Sequence, residues 1–275
     1  MHKAGSADAG ATQAALERAG AQVTLLASSG ADHITELLEN SAIERLVVLG
    51  GDGMIHHAAQ TAATINLPMG IIPGGTGNDI ARALRIPRRC LDAAELAIGP
   101  TSSIDLIRVD DGERHAFAVS VLTAGFSGHV TDYANQLRHA RGQLKYTLAT
   151  LRCLPKLRAC NVSGLGDLGT KVSIVAFGNT RYFGGGMAIC PAADPTDGSM
   201  QVVVVGDVGR LHLAAVLPAA FFGQHVRSGA VHTATMTSAA VTIDAPWWAD
   251  GERLAVGSTA TVSVSPGVLQ LACRL

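Results

Sequence analysis

The chain has 275 residues, 48% of them apolar, enough for two modest domains or one large one with a packed core. Its 21 basic and 22 acidic residues leave a formal net charge of -1, so no overall field draws in nucleic acid or an anionic surface, and any such contact must be local. Five cysteines, Cys90, Cys153, Cys160, Cys190 and Cys273, are scattered without a Cys-x-x-Cys pair, which argues against a disulfide framework or structural zinc and fits a reducing cytosol. Residues 1–10 are small and polar, and the most apolar later stretch, 211–222, is interrupted by Pro218 and too short to span a bilayer. A cytoplasmic protein, soluble or peripheral at the inner face of the membrane, is expected.

In chain order, short apolar runs alternate with helical patterns through residues 14–100: a strand at 23–27, a helix over 34–38, a strand at 46–49, a helix from Ile55 and a strand at 69–72. That rhythm predicts βαβ units and a parallel sheet. From Ser103 the pattern changes. Strand candidates at 104–109 and 115–122 flank Asp111-Gly112, a hairpin turn signal. An α/β domain is thus expected over 1–102 and a strand-rich domain over 103–275. A helical insert near 127–158 carries Arg138, Arg141, Lys145, Arg152, Lys156 and Arg158 against a single acid, Asp132. Strands follow at 172–177, 200–205, 240–243 and 261–264, rich in β-branched residues and separated by Gly, Asp and Pro, with one helix at 210–221.

The strand at 46–49 ends in Gly50-Gly51-Asp52-Gly53, after which residues 54–64 read as a helix. Glycines let the backbone turn sharply and approach a ligand, and the free amides of the helix start favour phosphate. An aspartate there would repel phosphate by itself, so its presence points to work with Mg2+ or with a substrate hydroxyl. The same loop also reads as a tight strand-to-helix turn with Asp52 as N-cap. A second loop, Pro73-Gly74-Gly75-Thr76-Gly77-Asn78-Asp79, follows the next strand and precedes a helix at 80–84. Two adjacent strand ends in a parallel sheet would then point glycine loops into one crevice, where open α/β sheets bind ligands.

Other strings carry no such context. Gly164-Leu165-Gly166-Asp167-Leu168-Gly169 matches Gly-x-Gly-x-x-Gly, but a strand follows it, so it reads as a hairpin loop. Phe126-Ser127-Gly128 lacks the last glycine of a nucleophile elbow, because position 129 is His. The ten histidines contain no pair at four-residue helical spacing, and His56 and His57 point to different faces of a helix, which makes metalloprotease chemistry a poor fit.

Residues 47–52, the second loop and Ala81-Arg82-Ala83-Leu84 resemble the catalytic domain of the diacylglycerol kinase family. Further matches follow in order: Gly142-Gln143-Leu144-Lys145-Tyr146, then Gly184-Gly185-Gly186 with Pro191 and residues 194–200, then Ala249-Asp250-Gly251-Glu252. Together they cover about residues 20–275, and their joint order is more specific than any one of them. The resemblance implies a doubly wound nucleotide-binding domain followed by a β-sandwich domain, with ATP in the cleft between them. It implies nucleotide contacts from Gly50, Gly51, Asp52, Gly53, Met54, Ile55 and His56 and from Gly74, Gly75, Thr76, Asn78 and Asp79. It matches Asp197, with Asp194 and the Ser199 backbone, to the Mg2+ position of bacterial members, and Glu252 to their proton acceptor. Related kinases with the same first loop assign the base to its aspartate, so Asp52 and Glu252 both stand as catalytic candidates. A membrane lipid, diacylglycerol first, is the implied substrate, with peripheral membrane contact and no nucleic acid among the partners. A homodimer stays open.

Members usually begin with an apolar strand ending in Asn-Pro, whereas this chain starts at Met1-His2-Lys3-Ala4-Gly5, as if just inside that loop, so the first strand is expected to be missing. Its loss would expose neighbouring strand edges and remove part of the nucleotide site. Met54 replaces a common threonine, and His57 stands where the family often has glutamate. Two readings therefore stand beside the lipid kinase: a degenerate non-catalytic nucleotide- or lipid-binding homologue, and an NAD kinase-like enzyme. The leucines at 144, 148, 151 and 154 with Tyr146 face either the core or acyl chains, the basic insert is either a lipid-facing or a solvated surface, and Trp247 and Trp248 are either interfacial anchors or strand residues on opposite faces.

Overall fold

A computed structural model of the chain, described for residues 6–28, 31–39, 43–137 and 142–275, divides into two compact units. The first comprises Met1–Ile104 with Gly267–Leu275, and the second comprises Asp105–Pro266. Among the described residues no helix is long and apolar enough to cross a membrane. Arg138 and Arg141 of the basic insert, and the Met1–Gly5 start, lie outside the described residues.

The first unit opens with α1 (Ser6–Arg18), a helix the apolar pattern does not announce because it is built from alanine, the strongest helix former, without a periodic stripe. It packs on α5 (Cys90–Ala97), with Thr12 Oγ1 3.5 Å from Cys90 Sγ. Residues 21–28 then run without regular structure, so the strand expected at 23–27 is not formed. Its composition suits a strand, but a strand needs a neighbour for its backbone groups. The candidate neighbour, β1 (Leu46–Gly50), pairs among the described strands with β2 (Met69–Pro73) alone. The helix expected at 34–38 forms as α2 (Ala31–Glu39), burying Ile34 and Leu38 one turn apart, and packs on α3 (Asp52–Thr64).

β1 and β2 run parallel, from Leu46 opposite Met69 to Gly50 opposite Pro73, joined through α3 in a βαβ unit. α3 buries Ile55, Ala58, Ala59, Ala62 and Ala63, and packs on β1. α4 (Asp79–Ala83) follows β2. α5 lies on β2 so closely that a Cβ at Gly70 would fall 2.5 Å from the Ala97 carbonyl oxygen, and Arg45 Nη1 holds the end of α5 by donating to the carbonyls of Ala97 (2.8 Å) and Gly99 (2.6 Å). The end of the chain returns to this sheet, with Leu271 parallel to Met69 and the Ala272 amide donating to the Met69 carbonyl at 2.9 Å.

The second unit is antiparallel. β3 (Ser102–Asp110) and β4 (His115–Ala118) form the hairpin announced by Asp111-Gly112. β5 (Val121–Gly125) is followed by α6 (Phe126–Gln136) and α7 (Gly142–Cys153), which pack together. β6 (Cys160–Ser163) and β7 (Lys171–Gly178) pair across the Gly164–Gly169 string, which is a hairpin loop as its context predicts. β7 lies between β5 and β8 (Met200–Gly206), and β8 pairs in turn with β9 (Val231–Met236) beyond α8 (Arg210–Ala220). β10 (Ser238–Ile243) pairs with β6 and with β13 (Thr259–Leu271), while β11 (Trp247–Ala249) joins β5 to β12 (Glu252–Arg253). The apolar faces of these strands enclose a core around Phe177, Val202, Val204, Val241, Trp247 and Val262.

Candidate active site

In the first unit both glycine loops leave the carboxyl ends of neighbouring parallel strands and touch. The Gly74 amide donates to the Gly50 carbonyl at 2.8 Å, and a Cβ on Gly51 would lie 3.1 Å from the Cα of Gly75. No side chain fits between the loops. Gly51 is the N-cap of α3, so the amides of the first turn, Gly53 and Met54 among them, have no intrahelical acceptor and carry the positive end of the helix dipole. This is the geometry of an anion cradle.

Asp52 does not cap its own helix. Its Oδ1 accepts the Ile80 amide of α4 at 3.0 Å, and a Cβ at Gly77 would fall 3.0 Å from its Oδ2. The carboxylate of the first loop thus holds the start of the helix behind the second. Asn78, left-handed at φ 53° and buried, closes that second loop: its Oδ1 accepts the Gly75 amide at 2.9 Å and its Nδ2 donates to the Gly75 carbonyl at 2.8 Å. Asp79 is buried in an ion pair with Arg82, which also reaches the Gly77 carbonyl. Gly74 and Thr76 are exposed, as is Met54. Ile55 is fully buried and its amide is spent on Gly51, while the His56 ring is buried edge-on to His57 with centroids 5.2 Å apart.

In the second unit, Asp194, Asp197 and Ser199 lie on one loop. Asp194 Oδ1 accepts from the Thr196 amide and hydroxyl, and Asp197 Oδ1 from the Ser199 amide and hydroxyl, two successive side-chain-closed turns with both aspartates exposed. Among the described residues no group of three or more His, Cys, Asp or Glu side chains could hold a metal ion.

Asp250-Gly251 forms the tip of a two-residue hairpin between β11 and β12, with Ala249 opposite Glu252. Asp250 at φ 53° and Gly251 at φ 97° are both left-handed, the conformation that Asp-Gly adopts most readily in such turns. Glu252 is the first residue beyond the turn and half-buried. The Asp250 carboxylate, itself buried, accepts the amides of Val119 (2.8 Å), Ser120 (2.7 Å) and Val121 (3.2 Å). This capture splits the run expected as one strand at 115–122 into β4 and β5, because the Val119 and Ser120 amides bond the carboxylate instead of a neighbouring strand. The sequence marks Asp250 as a turn residue, but nothing local announces the segment it holds.

Trp247 and Trp248 are buried strand residues, not surface anchors: Trp247 packs near Phe177 with centroids 6.1 Å apart, and the Trp248 indole lies against Gly128 of α6. The three glycines at 184–186 all have positive φ, in a reversal closed by pairing of Phe183 with Met187 beside the Tyr146 ring. On α7, Tyr146 and Leu154 just beyond its end pack toward α6, whereas Leu144 (61%), Leu148 (45%) and Leu151 (50%) are exposed along one stripe.

Residues 2–109 match the diacylglycerol kinase catalytic domain, and residues 120–273 match the YegS C-terminal NAD kinase beta sandwich-like domain. A diacylglycerol kinase of Mycobacterium tuberculosis is 34% identical over 251 residues, covering 88% of this chain and 80% of that protein. A lipid kinase YegS-like protein of Yersinia enterocolitica is 31% identical over 245 residues, covering 85% and 79%. A crystal structure of a diacylglycerol kinase from Bacillus anthracis superposes with a TM-score of 0.69 at 17% identity, over 96% of this chain and 91% of that one, which shows a common fold.

Proposed function

The chain belongs to the diacylglycerol kinase family and is a lipid kinase, and from that premise we propose that it transfers the γ-phosphoryl group of ATP to a hydroxyl of diacylglycerol. The observation that carries the nucleotide part is the backbone contact of Gly51 with Gly75, which brings two glycine loops and the free amides of α3 to one place at the ends of β1 and β2. Fixed amide donors and a helix N-terminus favour phosphate oxygens, and phosphoryl transfer depends on such positioning more than on covalent chemistry. Thr76, exposed at the tip of the second loop, adds a hydroxyl that can donate to a phosphate oxygen.

Glu252 is the proposed base. One carboxylate oxygen of Asp52 accepts the Ile80 amide, which favours a structural role for it, whereas Glu252 stands half-buried just past the Asp250-Gly251 turn. The Glu252 carboxylate takes the proton of the lipid hydroxyl as that oxygen bonds to the γ-phosphorus and the bond to the β-γ bridging oxygen breaks, releasing ADP. The hard oxygens of Asp194 and Asp197 suit Mg2+, which takes one or two carboxylates and fills its remaining positions with water and phosphate; these residues, with the main chain at Ser199, would hold it. Bound there, Mg2+ would supply positive charge against the two aspartates and hold the 194–199 turn in shape.

Contact with a membrane surface is supported by α7, whose Leu144, Leu148 and Leu151 are exposed and which with the residues just after it carries Lys145, Arg152, Lys156 and Arg158 in sequence. An apolar stripe flanked by cations suits an interface rich in anionic lipid. Burial holds the Lys145 ammonium below its usual pKa, and its Nζ lies 5.9 Å from the centroid of the Tyr146 ring.

The test is to supply labelled ATP with vesicles containing diacylglycerol, monoacylglycerol or sphingosine in separate reactions. Label in phosphatidic acid is expected from the first. Label confined to another lipid would replace diacylglycerol as substrate, and label in none would overturn the proposal.

A further inference from the structure

We propose that Asp250 is a positioning residue that ties the hairpin bearing Glu252 to the acidic turn at 194–199 through one continuous hydrogen-bonded path. The functional consequence rests on the lipid kinase reading above.

The path lies wholly in the second unit. Asp250 Oδ2 accepts the Val119 amide, Oδ1 accepts those of Ser120 and Val121, and the Asp250 amide donates to the Val121 carbonyl at 3.1 Å. The next link is Asn179. Its amide donates to the Ser120 carbonyl at 2.8 Å, and its Nδ2 donates both to the Val119 carbonyl (2.8 Å) and to the Asp105 carbonyl (2.7 Å). Asp105, only 3% exposed, closes the path on the acidic turn: its amide donates to the Pro195 carbonyl at 2.7 Å, and its Oδ2 accepts the Gly198 amide at 2.8 Å. Ser120 adds a brace, its hydroxyl donating to the Tyr182 carbonyl beside the glycine triplet.

Two facts indicate that this is more than turn closure. A two-residue Asp-Gly hairpin needs only left-handed backbone at its tip, which Asn or Gly also supplies, so the carboxylate is not required by the turn itself. Moreover, a buried carboxylate holding three amides makes charge-assisted bonds, which restrict the segment they hold more than neutral ones do. Asp250 therefore fixes the pitch of the hairpin that begins β12 with Glu252, and the same amides carry that constraint to Gly198. A base displaced by about 1 Å loses on the order of a hundredfold in rate, so a clamp of this kind acts on kcat without touching substrate.

Two variants test it. Asp250→Asn keeps Oδ1 for Ser120 and Val121 but sets an NH2 group against the Val119 amide. Asn179→Leu removes the bonds to Val119 and Asp105 and leaves those two carbonyls without this donor, so its folding is checked before its kinetics. Each folded variant is expected to lose about tenfold to a hundredfold in kcat with KM for ATP within about twofold of wild type, the split of a residue that acts through another. Amide hydrogen exchange should quicken at Gly198 and Ser199 in both, with β8 and β9 unchanged. Unchanged exchange at Gly198 and Ser199, or kcat within about twofold of wild type, overturns the proposal. Wild-type lipid phosphorylation is measured first: its absence contradicts the kinase reading alone, and the exchange data still decide the clamp.

Discussion

A Cβ built on Gly75 would sit 2.5 Å from the Cα of Gly51, so the two glycine loops touch backbone to backbone. Main chain cannot yield as a flexible side chain can. Gly75→Ala is therefore expected to push the loops apart, costing about 1–3 kcal/mol as an overpacking change does. It should also weaken ATP binding. Denaturant unfolding and equilibrium nucleotide binding check both effects, and an alanine variant that binds ATP as wild type does would contradict the shared cradle.

Gly164 offers the control. It belongs to a string that imitates a dinucleotide motif, yet it sits at φ 91° in the β6–β7 hairpin with the Ala240 carbonyl oxygen 1.7 Å from where a Cβ would stand. Gly164→Ala should destabilise by about 1–3 kcal/mol or more through strain and overlap. The KM for ATP of the folded fraction should not move, because the loop turns a hairpin and holds no ligand. A selective rise in that KM would assign the string to the nucleotide site after all.

Asp111 predicts a pH dependence. The amides of Gly257, Arg114 and Glu113 lower its pKa to about 2 from the usual 3.8, and its Oδ2 accepts the Gly257 amide at 2.7 Å. A carboxyl whose folded value is depressed stabilises the fold fully above its unfolded value and loses that contribution as pH falls through the folded one. The stability gap between wild type and Asp111→Asn should thus be constant above about pH 4 and close between about pH 4 and pH 2. Chemical denaturation of both proteins at a series of pH values gives the gap directly. A gap that stays constant down to pH 2 would remove the Gly257 contact from the account.

The five thiols should differ sharply in reactivity. Burial raises the pKa of Cys160 to about 11 and pushes that of Cys190 higher still, and both are buried along with Cys153, whereas Cys90 and Cys273 are partly exposed. Because the thiolate is the reactive form, Cys160 and Cys190 should stay unmodified by an aromatic disulfide reagent at pH 8 until the protein unfolds. Mass spectrometry of the modified peptides checks the order, and early labelling of Cys190 would contradict the packing of the second unit.

Much of this was legible because the deciding signals were local. An apolar run ending in Gly50-Gly51-Asp52-Gly53 specifies a strand, a sharp turn and a helix start within a dozen residues, and Asp111-Gly112 specifies a hairpin by its tolerance of left-handed backbone. The misreadings arise where a distant partner decides. Residues 23–27 have strand composition but run without regular structure, and the run at 115–122 breaks at Val119 and Ser120 because a carboxylate some 130 positions later takes their amides. The same holds for Asp52, whose residue type suggested a cap for its own helix while the structure gives its oxygen to the helix after the next strand. β9 escaped notice because His232, Thr233 and Thr235 dilute its apolar alternation.

The central claim, phosphoryl transfer to a lipid hydroxyl with Glu252 as proton acceptor, is tested most directly by single-turnover transfer from labelled ATP to diacylglycerol vesicles, comparing wild type with Glu252→Gln. The amide keeps the size of the side chain but cannot take the proton, so lipid labelling should fall by about two to four orders of magnitude while ATP binding persists. Lipid labelled by Glu252→Gln at the wild-type rate would contradict the assignment of the base.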